Sequence, residues 1–64
     1  MTDKEFLHEI ESRFNSEESG SFIDRILSFD KKKHEMECVV YFGGYEPSRV
    51  RIWESDGKIA YGIK

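Results

Sequence analysis

The chain has 64 residues, a formal net charge of −3, and 38% hydrophobic, 36% charged and 14% aromatic residues. A chain of this length buries only about 60% of the surface its unfolded form exposes, which leaves room for one small core and excludes a multi-step enzyme with a cofactor domain. The single cysteine, Cys38, excludes an intramolecular disulfide framework, so a reducing, cytoplasmic setting is the expectation. The opening Met1-Thr2-Asp3-Lys4-Glu5 has mixed charge and no apolar stretch after it, unlike a signal peptide, and no apolar run nears the roughly 18 residues that cross a bilayer.

The first element is an amphipathic helix over residues 2–14. Thr2 or Asp3 serves as its N-cap, and Asp3 and Glu5 suit the positive end of the helix dipole. Phe6, Leu7, Ile10 and Phe14 fall at i, i+1, i+4 and i+8 and make one apolar stripe. The polar run 15–21 ends the helix.

From Phe22 the apolar period moves towards two. Residues 22–29 fit a helix stripe as well, but a strand there allows residues 30–35 to act as a hairpin loop into a clear second strand, 35–42. A third strand is expected over 49–54 and a fourth over 58–63, joined by Asp56-Gly57, the strongest short hairpin signal available. That turn pairs Glu54 with Ile59, Ile52 with Tyr61 and Val50 with Ile63, and Glu54 is the one residue unsuited to a buried face. In the first hairpin, pairing Phe29 with Met36 sets Leu27 against Cys38, Arg25 against Val40 and Ile23 against Phe42, with Arg25 the misfit. The expected fold is α+β: a single domain over 1–64, with one N-terminal helix packed on a four-stranded antiparallel meander (αββββ).

One helix covers one face of such a sheet. The other face should carry Ile26, Val39, Tyr41, Arg49, Arg51 and Trp53, and Phe22, Asp24, Ser28, Glu35, Glu37, Ala60 and Gly62 also belong to it. A connection at Gly43-Gly44 that pairs Tyr41 with Arg51 and Val39 with Trp53 gathers Ile26, Val39, Tyr41 and Trp53 into one apolar patch. Arg49 and Arg51 then rim it, with Arg51 on Tyr41. Tyr45, in the following loop, is placed for a further contact.

Candidate chemistry is sparse. His34 and Cys38 lie four apart, short of the three or four ligands a metal needs, and Cys38 reads as a small core residue and His34 as a loop residue. Glu35 and Glu37 lack the pocket that acid–base catalysis requires. Phe42-Gly43-Gly44-Tyr45 lacks the Lys-Ser/Thr ending of a phosphate loop. Lys31 to Lys33 read as a solvated hairpin tip. No catalytic residue, metal site, cofactor or small-molecule substrate is therefore expected.

The expectation is a non-enzymatic protein-binding module, of the kind an inhibitor or regulatory accessory protein of a phage or bacterium would be. Its surface is Val39, Tyr41, Tyr45, Arg49, Arg51, Trp53 and Ile26, and its partner is another protein or a second copy of itself. The alternative is a single-stranded nucleic-acid binder that stacks bases on the same face, against which stand 13 acidic residues to 10 basic ones.

Overall fold

The computed structural model describes residues 1–18, 20–44 and 46–63. Helix α1 spans Asp3–Phe14, and strands β1 (Ser21–Asp30), β2 (Glu35–Phe42), β3 (Ser48–Ser55) and β4 (Lys58–Ile63) follow it. The strands form one antiparallel sheet in the order β1-β2-β3-β4, the expected αββββ meander. Among the described residues no helix is long and apolar enough to cross a membrane.

Thr2 starts α1. Its hydroxyl accepts from the Glu5 N–H at 3.1 Å, and the Glu5 carboxylate accepts from the Thr2 N–H at 3.0 Å, a reciprocal box that satisfies two of the helix's orphan donors. Those hydrogen bonds, first the one from the Thr2 backbone, hold the Glu5 carboxyl below its usual value. One face of α1 is sealed, because Phe6, Ile10 and Phe14 are buried against Met36, Cys38, Val40, Val50, Ile52 and Ile59. Leu7, the fourth member of the expected stripe, stays partly exposed at its margin. The helix lies across the sheet: Phe6 stacks on Phe29 of β1 at 6.0 Å, whereas Phe14 meets Phe42 of β2 and Tyr61 of β4 edge-on at 6.2 and 5.0 Å.

The second hairpin has the expected register: Glu54 pairs with Ile59, Ile52 with Tyr61 and Val50 with Ile63. Asp56 and Gly57 both have positive φ, +52° and +74°, as the two-residue turn that follows the strand twist requires.

The first hairpin departs from the plain register. Phe29 faces Met36 as expected, but Ile26 faces Cys38, Arg25 faces Val39 and Ile23 faces Val40. The ten residues of β1 run against the eight of β2, and the two surplus residues, Leu27 and Asp24, form β-bulges. Each bulge reverses the inside–outside alternation. The Leu27 bulge turns Arg25 away from the core, leaving its side chain 70% exposed, and the Asp24 bulge restores Ile23 to the core. The charge that the plain register would bury thus reaches water, and Ile26 moves to the side of the core residue Cys38 and off the outer face.

The β2–β3 register differs from expectation by four residues. Val39 faces Arg49, Glu37 faces Arg51 and Glu35 faces Trp53, so neither Tyr41–Arg51 nor Val39–Trp53 is a pair. The expected offset would set residues 35–38 of β2 against 54–57, over the Asp56-Gly57 turn. The observed one pairs Met36 with Ile52 and Cys38 with Val50 beneath α1.

The bulged register has a direct test. Ile52→Ala, at a fully buried site, should cost roughly 2–5 kcal/mol in urea unfolding. Leu27→Ala should cost less than about 1 kcal/mol, because Leu27 is 44% exposed at a bulge. Equal losses at the two positions would restore the plain register.

Candidate functional site

The sheet face opposite α1 carries Glu35, Glu37, Val39 and Tyr41 from β2, Arg49, Arg51 and Trp53 from β3, and Ala60 and Gly62 from β4. These side chains alternate with the buried Met36, Cys38, Val40, Val50, Ile52 and Ile59, so strand periodicity alone puts them there. From β1, Phe22 and Arg25 join this face opposite Tyr41 and Val39.

The face has two aromatic ends. At one, Phe22 stacks on Tyr41 with ring centroids 4.8 Å apart, and Phe22 is 51% exposed. At the other, the Arg51 guanidinium lies 5.6 Å from the Trp53 ring centroid. Trp53 reaches across Ala60 to Gly62, where an added Cβ would sit 3.9 Å from the indole. The small residues of β4 leave the indole room to approach this closely. Glu35, opposite Trp53, is six residues from Tyr41, so the two ends lie roughly 20 Å apart along the strand.

Between them runs a ladder of ion pairs. Arg49 meets Glu37 through Nε at 2.9 Å and Nη2 at 2.6 Å, and Arg51 meets Glu35 at 3.6 Å. Both are diagonal cross-strand contacts, and both leave their arginines half-exposed, where such pairs contribute about 0.2–1 kcal/mol each. The single apolar patch expected from the sequence is therefore divided. Val39 and Tyr41 stay together, Arg51 and Trp53 stay together, Arg49 sits between them, Ile26 lies elsewhere, and Tyr45 lies outside the described residues.

The first hairpin adds exposed apolar area. Ile26 is 55% exposed at the sheet edge, with Leu27 beside it in the chain. A shallow hollow opens near the hairpin tip, lined by Ser28, Asp30, Lys31, Glu37 and Arg51 among others, with no one sign of charge.

Sequence reasoning missed a cluster on the helix side. His34 Nδ1 lies 2.6 Å from Glu54 Oε1, and Nε2 lies 2.8 Å from Asp3 Oδ1. The bond to Glu54, and then the bond to Asp3, pushes the imidazole above its usual value, and the same contact holds the Glu54 carboxyl below its own. The one signal in the sequence was Glu54 itself, the misfit on the core side of the second hairpin. Cys38 lies apart from this cluster in the core, where burial pushes its thiol up and away from the reactive thiolate. Among the described residues no group of three or more His, Cys, Asp or Glu is arranged to hold a metal ion.

Compared with models of known protein families, with curated proteins and with solved structures, the chain matches none.

The Trp53–Gly62 approach is testable. Gly62→Ala adds a methyl at ordinary contact distance and should change stability by less than about 0.5 kcal/mol. Gly62→Leu should push the indole off β4 and shift its fluorescence to longer wavelength; unchanged emission would contradict the placement.

Proposed function

We propose that the protein is a non-enzymatic binding module that engages a protein partner through the sheet face α1 leaves open. The observation that carries this reading is the pair of aromatic clusters on that face, Phe22–Tyr41 at one end and Arg51–Trp53 at the other. Trp, Tyr and Arg dominate the energetics of protein interfaces, since each combines a large apolar contact area with a polar group. The Glu37–Arg49 and Glu35–Arg51 pairs between them give the surface a fixed charge pattern, which selects among partners more than it adds affinity. The module works by occupying a surface, as an inhibitor or regulatory accessory protein of phage or bacterial type does, and a second copy of the chain is one partner to test. The lone buried thiol of Cys38 fits a cytoplasmic setting.

Single-stranded nucleic acid is the weaker reading. Tyr41 and Trp53 suit base stacking, but the arginines that would hold phosphate are held by Glu37 and Glu35.

Three measurements on wild type, Phe22→Ser and Trp53→Ala test the proposal. Co-purification from lysate should recover a partner with wild type and lose at least about 90% of it with each variant, the effect of removing a hot-spot side chain. Partner recovery unaffected by both substitutions would refute the reading. Concentration-dependent sedimentation that Trp53→Ala abolishes would identify the partner as a second copy. Salt-sensitive quenching of Trp53 by an oligonucleotide would replace the protein partner with nucleic acid.

A further inference from the structure

One imidazole joins three segments that the chain order separates: the first turn of α1, the β1–β2 connection and the end of β3. Both nitrogens of His34 are within 2.8 Å of a carboxylate oxygen, Glu54 on one side and Asp3 on the other. Ionised carboxylates only accept hydrogen bonds, so both ring nitrogens must donate, and a ring that donates twice is the imidazolium. Once that proton leaves, one nitrogen turns a lone pair on a carboxylate oxygen. One of the two contacts then opens.

The rest of the site is built around the charged ring. Phe6 stacks on it at 5.1 Å, and the side chain is 14% exposed. The His34 backbone has φ of +50°, the left-handed conformation that closes the β1–β2 hairpin loop, and this places its ring and its carbonyl at the corner. Its carbonyl accepts from the Glu54 N–H at 3.1 Å, which couples main chain and side chain to the same residue of β3.

We propose that His34 is a proton-controlled latch: protonated, it fastens the β1–β2 loop to both the start of α1 and the end of β3, and neutral, it keeps only one of those two ties and the corner loosens.

The charges around the ring favour this. Asp3 faces it from α1 and Glu54 from β3, and the Met1 α-amino group reaches Glu54 Oε2 at 3.4 Å, so one further cation shares the second carboxylate. Within the loop, Asp30 Oδ1 is occupied by the N–H groups of Lys32 and Lys33, and the three lysines are exposed. On β2, Glu35 is turned to Arg51 on the opposite face.

The sign follows from proton linkage. The closed form holds one proton more than the open form over the interval between the ordinary imidazole value, about 6.5, and the raised value in the closed form. The closed-to-open ratio is therefore greatest below that interval and falls as pH rises through it, by up to tenfold per pH unit. On the acid side the latch fails as pH drops through the lowered value of Glu54.

Nuclear magnetic resonance on the wild-type protein decides the matter. At about pH 6 both ring nitrogens of His34 should carry protons, and the Glu54 amide, corrected for intrinsic exchange, should be protected. That protection should fall severalfold by about pH 9, in step with loss of the ring proton. Glu54→Gln, Asp3→Asn and His34→Gln should each flatten the dependence. A His34 ring with a single N–H in the folded protein at about pH 6 would overturn the latch. So would Glu54 protection that stays level while the ring titrates.

Discussion

The structure depends on one helix burying one side of one sheet. Phe6, Ile10 and Phe14 are spaced so that each falls on the same face of α1, and together they cover the inward side chains of β2 and β3 and, on β4, Ile59. Among the described residues no element covers the opposite face of the sheet, so in this structure that face must be compatible with water. The ion-pair ladder through the middle of that face meets the requirement. The aromatic clusters at its two ends satisfy it less fully, and it is on them that the proposed binding surface rests.

The same constraint explains the bulges of β1. An uninterrupted alternation would turn Arg25 to the helix side of the sheet, opposite Val40, where a charge fits less well than the half-buried Ile23 that stands there. Two surplus residues solve the problem locally and leave Ile23 and Phe29 packed against the core. The bulges have a second consequence, since β1 is an edge strand and an irregular edge is a poor template for unwanted pairing.

Glu54 shows how a local misfit becomes part of the design. It sits at the inward margin of the second hairpin, where an apolar residue would pack, and instead it accepts from His34 and from the Met1 amino group. Those contacts, with the Asp3–His34 bond, tie the helix start, the first loop and β3 at one corner of the molecule, beside the buried Phe6. A small domain gains from such ties because it has few buried methyl groups to hold its periphery.

Tyr61 and Ile63, expected on the buried face, are 45% and 58% exposed on the edge strand β4. The sequence by itself determined the element order, the Asp56-Gly57 turn with its register, the apolar stripe of α1 and the core residues Met36, Cys38, Val40, Val50, Ile52 and Ile59. Each of these rests on a short-range pattern: a period of 3.6, a period of two, or a dipeptide that tolerates positive φ. Only the tertiary structure decided how β1 aligns with β2, how β2 aligns with β3, and what His34 touches. Register across the five-residue β2–β3 connection is set by which core layers fill best, and residues far apart in the chain settle that together. Trp53 and Tyr41 could therefore be assigned correctly to one face and still end up at opposite ends of it. The Asp3–His34–Glu54 cluster was hidden for the same reason, because its members come from three segments and meet only when the helix docks.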